Sequence, residues 1–137
     1  MTELEQRIKE QVDYCFEYKY FRSVIWISSE DKMEKVKDIL MRFVNEISDD
    51  YMLRAFPSGN EFIVDFIENH SWLKIIKPSD YQRGIRTTGC IIDEEISDIE
   101  KHTLIYPKLT PRIIDIQNGV WEPSEKLQER VHEVEIQ

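Results

Sequence analysis

Glycine is scarce, at four in 137 residues. Only Gly84 and Gly89 stand at the separation of a phosphate-cradling GxxxxGK[ST] loop. Cys90-Ile91 follow where Lys-Ser/Thr is required, so the chain holds no P-loop. Cysteine is scarcer still. Cys15 and Cys90 lie far apart in apolar surroundings and form no CxxC, which excludes a zinc knuckle. They read as buried free thiols of a reducing compartment. His70, His102 and His132 form no HxxxH or HExxH pair. The longest apolar runs are four or five residues, so no segment is expected to span a membrane. The opening Met-Thr-Glu-Leu-Glu is acidic and lacks the apolar core of a signal peptide, which makes the cytoplasm the expected compartment. Basic charge is the last deficit, with 18 Lys+Arg against 27 Asp+Glu and a formal net charge of −9. That balance argues against sequence-independent binding to DNA or RNA by this domain alone. It permits the opposite role, a mimic of nucleic acid seated in another protein's basic groove.

What is present suits one globular domain over residues 1–137. Apolar residues make up 41%, enough for a core at this length. Residues 2–18 read as an amphipathic helix, with Leu4, Ile8, Val12, Cys15 and Phe16 at helical spacing and Thr2 with Glu5 as a capping box. The aromatics Tyr14, Phe16, Tyr18, Tyr20 and Phe21 then shift the period toward two. They read as the approach to a strand, with a nucleic-acid stacking platform as the alternative. Arg22–Ser28, centred on Val24-Ile25-Trp26-Ile27, suits a strand covered on both faces, as in a parallel sheet. Ser28 or Ser29 can cap the next helix, 30–47, whose stripe runs Met33, Val36, Ile39, Leu40, Phe43, Val44 and Ile47. Strand then helix is half of a βαβ unit.

Two strand-like pieces follow, 51–56 and 61–67, joined by Pro57-Ser58-Gly59-Asn60 as a hairpin. Residues 72–77 form another short strand, stopped by Pro78. Residues 79–88 are loop-like and carry Arg83 and Arg86. Cys90-Ile91-Ile92 is an apolar strand that ends in three acids, Asp93, Glu94 and Glu95. A buried strand delivering acids at its carboxyl tip is how nucleotide hydrolases hold Mg²⁺ and polarise water. A helix is expected from about Glu95 to Leu104, a strand over 112–117, and a turn at Asn118-Gly119. A polar final helix is expected from Glu125 to about Glu135, with Leu127, Val131 and Val134 as its few apolar positions.

Arg83-Gly84-Ile85-Arg86, then Ile91-Ile92-Asp93-Glu94-Glu95, then Ile105-Tyr106-Pro107-Lys108-Leu109 resembles the Walker B region of phage terminase large subunits, the ATPases that pump DNA into phage heads. The resemblance covers roughly residues 20–117 and is carried by short motifs. It implies an α/β fold: a partial RecA-like, P-loop-type three-layer core with a mainly parallel sheet and an added β-hairpin. In that scheme residues 1–20 form an N-terminal helix, 21–117 the ATPase-like core, and 118–137 a turn and C-terminal helix. The strand at 22–28 and helix at 30–47 would follow the first βα unit of that core. Asp93 would hold Mg²⁺ through water, and Glu94 would be the general base for the attacking water. Arg83, able to reach phosphate oxygens, would be the cofactor-binding candidate. Nothing transfers to Glu95, which replaces a small or apolar residue.

The missing P-loop departs from that pattern. It removes the positioning and charge neutralisation on which phosphoryl transfer mainly depends. The resemblance therefore implies a terminase-like ATPase fragment, or a diverged relative, of phage origin. Such a chain is inactive alone and acts through a partner chain in DNA packaging, with Mg²⁺ and ATP as its implied cofactors. It would touch DNA only indirectly, with no membrane and with oligomerisation left open, and a phage chain would work in the host bacterial cytoplasm. The alternative is a small acidic phage-type interaction protein that inhibits a host enzyme or defence protein. A third reading, a metal-dependent nuclease, would need Asp65, Glu68, Asp93 and Glu94 to converge.

Overall fold

The computed structural model describes residues 1–47, 51–55, 61–79, 86–109, 117, 119 and 131–137. Helix α1 (Glu3–Glu17) begins with the expected capping box: the Glu5 N–H donates to Thr2 Oγ1 at 3.1 Å and the Thr2 N–H to Glu5 Oε1 at 3.4 Å. Its buried side carries Leu4, Ile8, Val12 and Cys15. At its other end the Asn69 amide donates to the Phe16 carbonyl at 2.6 Å, and the Ser71 hydroxyl donates to that of Tyr18 at 2.8 Å. These bonds satisfy carbonyls that the helix leaves orphaned. The aromatics around this end pack on one another and on the sheet. Tyr14 and Tyr18 tilt against Phe21, and Phe16 meets Phe66 edge-on.

Strand β1 (Arg22–Trp26) is buried throughout. A 3₁₀ turn, Glu30–Lys32, leads into α2 (Met33–Ile47), which buries Met33, Val36, Leu40, Phe43 and Val44. β2 (Tyr51–Ala55) and β3 (Glu61–Phe66) pair antiparallel, as the hairpin signal predicts; its turn, 57–60, lies outside the described residues. β4 (Ser71–Ile76) pairs antiparallel with β3 and parallel with β1. β5 (Gly89–Asp93) lies parallel on the other side of β1. After β5 comes α3 (Asp98–Glu100), continued by a π-helical stretch, Lys101–Ile105, and a 3₁₀ turn, Tyr106–Lys108. β6 (Val131–Val134) then pairs parallel with β5.

The architecture is α/β, with one sheet of order β2-β3-β4-β1-β5-β6 and parallel pairing across β4, β1, β5 and β6. One face packs against α1 and α2, through Ile25, Leu73, Ile75, Ile91 and Val134. The other packs against the α3 segment, where Ile105 and Leu109 meet Val24, Trp26, Cys90 and Ile92. Alternate residues of β1 and β5 feed the two cores, which explains the unbroken apolar runs of these strands.

The C-terminal element corrects an expectation. Residues 131–134, placed in a helix by the sequence reading, form a strand. Pairing along β5 gives that strand's outer edge its ladder partners, and the Glu94 N–H donates to the Val134 carbonyl at 2.9 Å. Val134 and Ile136 close the first core at 0% and 1% exposure, a burial that the sparse helical pattern did not offer. Residues 125–130 of that expected helix and 112–116 of the expected strand lie outside the described residues. Gly119 has φ +75°, a conformation suited to the expected turn.

Candidate functional site

β1 and β5 are neighbours, but the chain leaves them toward opposite faces. After β1 it enters α2 on the first face, and after β5 it enters the α3 segment on the second. Two parallel neighbours that diverge in this way make a topological switch point, and the space beyond their carboxyl ends is the usual ligand position in doubly wound sheets. Asp93 closes β5 at this point, and Ser28 and Lys32 follow β1.

The Asp93 side chain is fully buried. Its Oδ2 accepts from the Ser28 hydroxyl at 2.6 Å, the Lys32 ammonium at 2.8 Å and the Ser28 N–H at 3.0 Å. Its Oδ1 accepts from the Glu95 N–H at 3.1 Å, a local turn of the kind aspartate favours. Lys32 is 8% exposed. Besides Asp93, its ammonium donates to Ser28 Oγ at 2.9 Å and to Glu95 Oε2 at 3.0 Å. An ammonium has three protons, and all three are placed. The cluster ties the loop after β1 to the turn after β5.

The electrostatics follow from those contacts. Burial by itself would raise the Asp93 pKa, but hydrogen bonds from Lys32 and Ser28 outweigh it and hold the carboxyl below its ordinary value. Burial would likewise lower Lys32, and its bonds to Asp93 and Glu95 leave it raised. Both groups stay charged through the neutral range. On the second face burial pushes the Cys90 thiol up to about 12, with the Glu133 charge adding to it, so this cysteine is a packing group and no nucleophile. Cys15, also buried and free, is raised for the same first reason.

Asp93 therefore stands at the tip of a buried strand, as the sequence reading expects. Glu94, the expected general base, is exposed, and its backbone N–H is bound to β6. Arg83 lies outside the described residues. The nuclease quartet is not brought together. Asp65 stands in register with Trp72, and Trp72 with Arg22, at the amino ends of the parallel strands, whereas Asp93 is at their carboxyl ends. Among the described residues no group of three or more His, Cys, Asp or Glu is placed to hold a metal.

Two members of the cluster escaped the sequence reading. Of the two expected caps, Ser28 or Ser29, Ser29 occupies the N-cap without a side-chain cap bond, and the Ser28 hydroxyl is drawn to Asp93. Lys32 gave no signal, since a lysine in the first turn of a helix is unremarkable and its partner is 61 residues away. The available signal was the triple acid itself. A buried carboxylate at a strand tip requires a counter-charge. No helix among the described residues is long and apolar enough to cross a membrane. No protein-family model, curated protein or solved structure matches the chain.

Proposed function

We propose that this chain is an ATPase-like scaffold, a fragment or diverged relative of the phage packaging ATPases it resembles, which does not hydrolyse nucleotide alone and acts through a partner chain. The reading takes the core as RecA-like and the protein as phage-encoded, working in the host cytoplasm. One observation carries it. Asp93 stands where nucleotide hydrolases present a metal-binding carboxylate, at the carboxyl end of a buried strand on a switch point, yet its oxygens are committed to Ser28, Lys32 and the Glu95 N–H. As arranged here the cluster does not fit Mg²⁺, which demands oxygen ligands at about 2.0–2.1 Å in octahedral geometry. No hydrolytic step runs through it. Glu94, exposed beside this switch point, is the residue that a partner supplying a phosphate cradle and its own metal would use.

ATP turnover in Mg²⁺, measured for the chain alone and mixed with P-loop-bearing packaging chains, tests this. The expected result is no turnover alone and turnover in a mixture that Glu94→Gln abolishes. Hydrolysis by the isolated chain would overturn it, as would mixtures whose activity ignores both Glu94→Gln and Asp93→Asn.

The second reading, a small acidic inhibitor of a host enzyme or defence protein, draws on the exposure of Glu30, Asp31, Glu94, Glu95 and Asp98 around the carboxyl ends of the strands. Capture of a host nuclease or defence protein together with inhibition of its activity, and no recovery of packaging chains, would favour it over the first.

A further inference from the structure

The geometry points to Lys32 as the resident cation of a three-oxygen site, formed by Ser28 Oγ, Asp93 Oδ2 and Glu95 Oε2, which shuts divalent metal out of the switch point; replacing it with a neutral side chain opens that site to Mg²⁺ or Mn²⁺. What separates this cluster from a patch of surface acids is that it already holds a cation. The three oxygens lie 2.9, 2.8 and 3.0 Å from the Lys32 nitrogen. Those are the lengths of charge-assisted N–H···O bonds and are too long for metal–oxygen bonds. Two of the three oxygens belong to carboxylates, the ligand type that Mg²⁺ and Mn²⁺ take up. Asp93 is fully buried, so its ionised form has no solvent to turn to and is held by the cation beside it. In the native chain that cation is covalently attached to the 3₁₀ turn before α2, and no free ion competes at equal effective concentration. The Glu95 side chain is 72% exposed, which leaves an incoming metal a route from solvent and room for retained waters.

The inference goes beyond the proposed function and needs only this geometry. Its failure would leave partner-dependent hydrolysis standing, and failure of that hydrolysis would leave it untouched. Lys32→Met removes the charge and keeps most of the stem. Mn²⁺ alone is the probe, read by electron paramagnetic resonance of the free ion and by broadening of the Ser28 and Glu95 amide signals.

The wild-type chain is expected to show no site-specific broadening. Lys32→Met is expected to bind Mn²⁺ about tenfold tighter or more, equivalent to about 1.4 kcal/mol. Lys32→Met with Glu95→Gln is expected to lose that gain. The proposal is overturned if folded Lys32→Met binds no tighter than wild type, or if Mn²⁺ already broadens Ser28 and Glu95 in the wild-type chain. If Lys32→Met does not fold in chelator, folding restored by millimolar Mn²⁺, followed by circular dichroism, supports the proposal through metal-linked folding. No response to Mn²⁺ there overturns it.

Discussion

Lys32 and Lys101 are both buried, both paired with carboxylates, and set on opposite faces of the sheet beside β5. Lys32 reaches Asp93, whose side chain has no exposure. Lys101 reaches Glu133 at 3.1 Å, whose side chain is 44% exposed, and lies 3.7 Å from the surface residue Asp98. Both lysines are raised despite burial, because their bonds to carboxylates outweigh it. The difference lies in the partner. Glu133 can exchange Lys101 for water, whereas Asp93 has only its own chain to answer it. Buried lysines alone therefore do not mark a site. What sets Lys32 apart is that it answers a fully buried carboxylate at a switch point.

That contrast can be broken by measurement. The largest effect belongs to Asp93→Ala, which takes from Lys32 its buried carboxylate, leaving it Glu95 and Ser28 Oγ, and strands the Ser28 N–H. Its cost should be about 3–5 kcal/mol by urea unfolding, the range for removing one partner of a buried pair. Lys32→Met in chelator should cost about 3 kcal/mol, the low end, since Ser28 still donates twice to Asp93. Lys101→Met should cost about 1 kcal/mol or less, because its partner is half in water. Equal losses from the two lysine variants would erase the distinction.

The pH dependence sharpens it further. The folded Asp93 pKa is depressed, so its contribution to stability is fully present above its ordinary value of 3.8 and is lost as pH falls through the lowered one. The raised Lys32 contributes fully below its ordinary 10.5 and loses that contribution only as pH rises through its higher folded value. The stability difference between wild type and Asp93→Asn should therefore stay flat across the neutral range and shrink in acid below 3.8. A slope near neutrality would show that some other group governs the cluster. The smallest effect is that of Glu94→Gln, within about 0.5 kcal/mol, since its exposed side chain is not part of the cluster.

Much of the fold was legible. Val36, Leu40, Phe43 and Val44 at helical spacing declared α2, and Thr2 with Glu5 declared the start of α1. The continuous apolar runs of β1 and β5 announced strands with cores on both sides, and that is how they lie. The pattern misled at the C-terminus. Val131 and Val134 fit a helical stripe and a strand equally well over so short a stretch, and the open edge of β5 decided between them. The candidate site was half legible. Asp93 could be found because an apolar run ended in acids, but nothing near Lys32 records that it sits beneath them.

The sequence by itself determined the elements from α1 to β5, the net acidity, the absence of a P-loop and the acid-tipped strand, because each is written in local period or composition. Only the tertiary structure decided what Asp93 does. That rests on β1 lying directly beside β5, a matter of sheet order that no local period encodes. With the two strands adjacent, a loop after one and a turn after the other meet at a single switch point, and a lysine 61 residues away becomes the counter-charge of the buried carboxylate.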